Sequence, residues 1–142
     1  MKRSLILVVV ATLTLGLVTG CGDDGPSDAE VKRAYIAKGN AICEKGNAEL
    51  AQAPEFDPTD DAAFSGFVTD TLIPNVQGQI DQLRKGIPEP DEDGVNGILD
   101  DAEAVLGTLE DDPMSLQGET DPFAEINDRL DTYGLTSCAD SE

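Results

Sequence analysis

The chain has 142 residues, with 29 Asp and Glu against 9 Lys and Arg, no His and no Trp, and a formal net charge of −20. So acidic a balance excludes nucleic acid as a partner, because binding the phosphate backbone requires basic patches. Without histidine the usual general base and the commonest zinc ligand are both missing, and no nucleophile-elbow, zinc-protease or nucleotide-loop motif is present.

Lys2 and Arg3 open the chain, and an apolar run over residues 5–17 follows, interrupted only by threonines and Gly16. A basic start, an apolar stretch and then small residues make up the layout of a secretory signal peptide over residues 1–20. The run is too short for a membrane span, which needs about 20 apolar residues. Val18-Thr19-Gly20-Cys21 resembles a bacterial lipobox. That resemblance implies that Cys21 becomes the lipidated N-terminus, anchored through its acyl chains on the extracytoplasmic face of the cell membrane. The competing reading is an ordinary secreted protein in which Cys21 is incidental. Cleavage before Cys21 removes Lys2 and Arg3 and no acid, so the charge moves from −20 to −20 − 2 = −22 over 142 − 20 = 122 residues. That length suits one modest domain. Solubility in a salty exterior accounts for the charge; a diffuse store of divalent cations or a surface for a basic partner is the sharper alternative.

Residues 21–28 form the lipidated cysteine and a polar tether with Gly25 and Pro26, and residues 29–142 form a helical domain. The first helix opens at Ser27, with Glu30 three residues on as a capping box, and runs to about Gln52. Val31, Tyr35, Ile42, Gly46 and Leu50 share one stripe, flanked by Ile36 and Cys43. Gly39 and Gly46 weaken this helix but permit close approach of a neighbour. Pro54 and Pro58 break the chain. A second helix is predicted from Thr59 as N-cap, with Phe64, Val68, Leu72, Val76, Ile80 and Leu83 as its seam. Pro74 inside it should kink it, and Arg84-Lys85-Gly86-Ile87-Pro88 stops it.

The third helix covers about 91–110, with Val95, Ile98, Ala102, Val105 and Leu109 facing inward and Leu99 and Leu106 widening the stripe. Pro113 and Gly118 bracket a loop. The fourth has Asp121 as N-cap and Pro122 at its first position. Phe123, Ile126, Leu130 and Tyr133 line its apolar face, and Gly134-Leu135 end it. The fold class is therefore all-α, a small antiparallel four-helix bundle. Cys43 and Cys138 are left as an even pair once Cys21 is acylated, and an oxidising compartment predicts a disulfide between them. The helix register agrees, because a descending fourth helix delivers Cys138 to about the height of Cys43.

The segments "AYIAKGNAICEKGNAEL", "LIPNVQGQIDQLRKGIPEPDED" and "INDRLDTYGLTSC" resemble a group of small actinobacterial lipoproteins. These share a lipobox, a cysteine in the first long helix, a proline-marked stop after the second, and a terminal YGL-x-x-C. Here Glu89 separates the prolines of that stop. The resemblance implies fold and location and carries no activity, cofactor or catalytic residue.

Two local patterns hold candidate chemistry. Residues 89–100 place Glu89, Asp91, Asp93 and Asp100 at positions 1, 3, 5 and 12 of a calcium-type loop, with Gly94 at position 6. Glu at position 1, Asp at 12 and the polar Asn96 depart from that pattern, and an acidic first turn complementing the helix dipole explains the residues better. No metal site is therefore assigned. Lys32, Arg33, Lys38 and Lys45 crowd the first helix, where they neutralise acidic neighbours or, alternatively, meet lipid headgroups. The functional expectation is a non-enzymatic binding module for an envelope protein or small ligand. A passive acidic protein serving spacing, hydration or cation buffering is the alternative. An apolar concave patch would favour the first.

Overall fold

A computed structural model describes residues 25–118 and 120–139 of the protein, and among these there is no strand. The signal segment 1–20 and Cys21 lie outside the described residues. Six helices follow in order: α1 (Asp28–Leu50), α2 (Asp61–Phe67), α3 (Ile73–Leu83), α4 (Glu92–Asp111), α5 (Ala124–Tyr133) and α6 (Thr136–Ala139). A π-helical segment, Val68–Leu72, joins α2 to α3, and 3-10 turns occupy Glu89–Asp91 and Pro113–Gln117. The all-helical expectation is met. α1 packs on α3 and α6, α3 on α4, α4 on α5, and α5 on α6.

The capping box opens α1 as its sequence dictates: the Glu30 carboxylate accepts the Ser27 backbone N–H at 2.9 Å and its hydroxyl at 2.8 Å. Those two bonds, the backbone one first, hold the Glu30 carboxyl below the usual range. The buried face differs from the expected stripe. It is Tyr35, Gly39, Cys43 and Gly46, while Val31 is 37% exposed. Glycine decides this, because the neighbouring elements settle where no Cβ stands in the way. A Cβ on Gly39 would collide with the Leu135 side chain of the chain end, and one on Gly46 with the Gln79 side chain of α3.

Past α1, Phe56 stacks on Phe67 at 4.6 Å and meets Phe64 at 6.2 Å, which pins the 51–60 connection to the next helix. The N-cap there is Asp60 rather than Thr59. Asp60 Oδ1 accepts the N–H groups of Ala62 at 3.0 Å and Ala63 at 3.2 Å, whereas Thr59 is spent on Asp57. A carboxylate at this position satisfies two orphan donors and complements the dipole as well. Pro74 has no N–H to give the preceding turn and its ring crowds that carbonyl. The helix responds by widening into the π segment, where Ile73 N–H reaches back five residues to Val68 O. It then continues as α3, so the expected kink becomes a π-turn.

The end of α3 is closed by α1. Gly86 takes φ +88°, the Tyr35 hydroxyl donates to Leu83 O at 2.9 Å, and Lys38 Nζ donates to Lys85 O at 3.3 Å. Burial pushes the Tyr35 phenol up to about 12. Arg84 then ties α3 to α4, donating to Asn96 at 3.0 Å, Asp100 at 2.8 Å and Glu103 at 2.7 Å. Along α4, Val95, Ile98, Leu99, Ala102, Leu106 and Leu109 are buried as expected, with Val105 only partly so.

α5 starts at Ala124, two residues later than Pro122. Asp121 caps the turn ahead of it by accepting Phe123 N–H at 2.8 Å. The exit is a Schellman closure at Gly134, φ +107°, with Leu135 N–H on Leu130 O and Gly134 N–H on Asp131 O, both 2.9 Å. Leu135 is fully buried, and the chain then makes α6, which the periodicity did not indicate. Asn40 of α1 donates to Gly134 O and accepts Ser137 N–H, each at 3.0 Å, and Asn47 donates to Ser137 O at 3.0 Å. Seated by these amides, Cys138 forms the expected disulfide with Cys43, with their Cα atoms 5.0 Å apart.

Candidate functional site

The helices are unequal: α1 has 23 residues and α4 has 20, but α5 has 10. A short fourth wall cannot cover the full height of the others. Beyond its start the described residues offer the Pro113–Gln117 turn. The uncovered space is an apolar cleft of about 810 Å3 walled by α1, α3, α4 and α5.

Its floor is the Cys43–Cys138 disulfide with the buried Leu83, Ile98, Leu99 and Leu130. Val76 of α3 and Leu72 of the π segment carry the wall upward. The exposed lining residues Asn47, Ala51, Gly118 and Asp121 mark the mouth, toward the C-terminal end of α1. Polar groups are few: Asn47, Gln79, Asn127 and the Asp121 carboxylate. Gln79 is held in place, donating to Asn75 Oδ1 at 2.7 Å, and Asn75 in turn donates to Gly46 O at 3.2 Å. Among the described residues no Lys or Arg lines the cleft. A mostly apolar concavity of this size with a handful of polar groups is the form that small-molecule sites take, at about 300–1,000 Å3.

A second, shallower depression of about 510 Å3 lies near the opposite end of α1. There the Tyr133 hydroxyl donates to Asp91 Oδ2 at 2.8 Å, and Lys32 Nζ lies 3.2 Å from the same carboxylate and 4.3 Å above the Tyr133 ring. The Tyr133 bond first, and then Lys32, hold the Asp91 carboxyl below the usual range. Burial and Asp91 push the Tyr133 phenol upward. An ionised Asp91 beside a firmly protonated Tyr133 is poor material for proton transfer, and the triad instead locks α1, the Glu89–Asp91 turn and α5 together. Because the folded pKa of Asp91 is lowered, its contribution to stability is complete above the unfolded value of about 3.9. It is lost as pH falls through the lower folded value. Melting curves of Asp91→Asn and the wild type taken from neutral pH down to about 2 should therefore converge at the acid end. Parallel curves with a constant offset would refute the assignment.

The sequence-nominated acidic stretch 89–100 is not a loop. It is a 3-10 turn running into α4 from Glu92 onward. Two of the nominated carboxylates are otherwise engaged, Asp91 by Tyr133 and Lys32, and Asp100 by Arg84. Of the four basic residues of α1, Arg33 donates to Ala29 O on its own helix at 3.1 Å, and the other three serve the fold as follows. Lys32 pairs with Asp91, Lys45 with Glu49 at 3.3 Å on its own helix, and Lys38 closes α3. Cys21 lies outside the described residues. No single helix announces the cleft in its own pattern, yet a signal for it lies in the mismatch between a long first helix and the short α5. Among the described residues no helix is long and apolar enough to cross a membrane.

No protein-family model matches the chain, and neither a curated protein nor a solved structure matches it.

Proposed function

We propose that this protein is a lipid-anchored, extracytoplasmic binding module. In this reading the helices form an antiparallel four-helix bundle, with α2, the π segment and α3 acting as one helix and α6 as a clasp. Val18-Thr19-Gly20-Cys21 supplies the anchor, and several acyl chains at about 0.8 kcal/mol per buried methylene hold it firmly. The observation that carries the binding role is the apolar cleft, open at Ala51 and Gly118 and floored by the disulfide. A passive acidic spacer would have no use for such a concavity.

The anchor is tested by metabolic labelling with a fatty-acid analogue. Wild type should take the label and Cys21→Ser should not, since the thioether forms on that sulfur; equal label on both would remove the anchor. The cleft is tested with Nile red, an uncharged apolar dye. It should bind one per chain with enhanced fluorescence, and Ala51→Trp, which plugs the mouth at an exposed position without altering charge, should abolish the signal. Absence of saturable uptake by the wild type would leave the passive role as the better reading.

A further inference from the structure

We infer that the cleft selects a cationic amphiphile, an extended apolar chain carrying a positively charged head group; this rests on the cleft being a binding site. Three observations lead there. One wall runs from Leu72 at the end of the π segment along α3 to Leu83, eleven steps of helix and hence ~16 Å long, so the cavity is elongated and suits a chain better than a compact ring. Its lower part is apolar and buried, so a head group must stay at the mouth, where burial of charge is avoided.

At that mouth the charge is one-sided. Among the described lining residues Asp121 is the charged one, and no Lys or Arg opposes it there. One carboxylate oxygen of Asp121 is used on Phe123 N–H, and no hydrogen bond to the other is seen among the described residues. The basic residues Lys32 and Lys38 are committed elsewhere, to Asp91 and to Lys85 O. An anionic head group such as a carboxylate or phosphate would meet Asp121 with nothing to offset it, on a chain of net charge −20. A cation is drawn in by the same field. The mouth also lies at the far end of α1 from the tether, a helix of 23 residues and so ~34 Å.

The test uses three probes of one chain length below their micellar concentrations: dodecyltrimethylammonium, dodecyl maltoside and dodecyl sulfate. They are titrated into the full mature chain at physiological ionic strength, with circular dichroism confirming that the fold persists. The ammonium probe should bind one per chain and at least tenfold tighter than the sulfate, with the maltoside between. Ala51→Trp should weaken both the ammonium and the maltoside by at least tenfold. Asp121→Asn keeps the acceptor for Phe123 N–H and should weaken the ammonium alone, about fivefold, as expected for one exposed charge pair. Equal affinity for the three head groups would overturn the inference, as would ammonium binding that survives Ala51→Trp and is therefore surface ion pairing. A chain that takes up Nile red but rejects the ammonium probe refutes the charge selectivity and leaves the cleft standing. Failure of both refutes the two readings together.

Discussion

Replacing Cys43 and Cys138 together by alanine is expected to lower the unfolding free energy by about 4–5 kcal/mol, the chain-entropy value for a closed loop of this size. The bond spans 95 residues of sequence and joins α1 to α6, so without it the unfolded chain gains nearly all the freedom of a linear polymer. For a domain of this size that is a fall in Tm of roughly 20 °C. It is also a large share of a typical stability of about 5–15 kcal/mol. Dithiothreitol on the wild type should act in the same direction, and the two treatments should not add. Denatured, non-reduced protein should show no titratable thiol from this pair. Two thiols per mature chain, or a Tm shift under about 5 °C in the alanine variant, would remove the disulfide from the account of stability. The amides of Asn40 and Asn47 still hold α6 after reduction, so the helix content of the reduced protein should persist at low temperature.

Leu135→Ala should cost about 3–4 kcal/mol, within the range for emptying a fully buried leucine site. Leu135 is 0% exposed and sits directly after the Gly134 exit, against Gly39 of α1. Gly39→Ala alone should also destabilise, by about 1–2 kcal/mol. Its new methyl would collide with the Leu135 side chain and crowd Leu83 at 3.1 Å, which outweighs the gain of up to ~1 kcal/mol in helix propensity. The informative measurement is the double variant. With Leu135 trimmed, the methyl at position 39 occupies vacated space, so the combined loss should fall short of the sum by about 1 kcal/mol or more. Additive losses in urea denaturation would show that Gly39 does not receive Leu135. Because Leu135 does not line the cleft, Nile red uptake by the folded fraction should be unchanged.

What the residues alone determined are the features set by neighbours in sequence. Ser27 and Glu30 make their capping box from atoms three residues apart. Gly86 and Gly134 end their helices because only glycine enters the left-handed region freely there. The 3-4 spacing from Val95 to Leu109 gives the inward face of α4 directly, since that periodicity is a local property of the helix. The pairing of Cys43 with Cys138 follows from parity once Cys21 is set aside. Tertiary structure decided the rest. The face of α1 rotated onto Gly39 and Cys43 because Leu135 and α3 come closest where α1 carries no Cβ, and those partners are invisible in α1 alone. The exchange of Thr59 for Asp60 as cap is the exception, a local contest in which Asp57 captures the threonine from two residues away. Pro74 produced a π-turn where Val68, fully buried, keeps the widened helix on the core and so prevents a free bend. The short α6 has no periodicity to announce it and exists because Asn40, Asn47 and the disulfide hold it. The cleft belongs to this second group. Each lining residue reads as ordinary core in its own helix, and the space among them appears only when a 10-residue helix is set against neighbours twice its length.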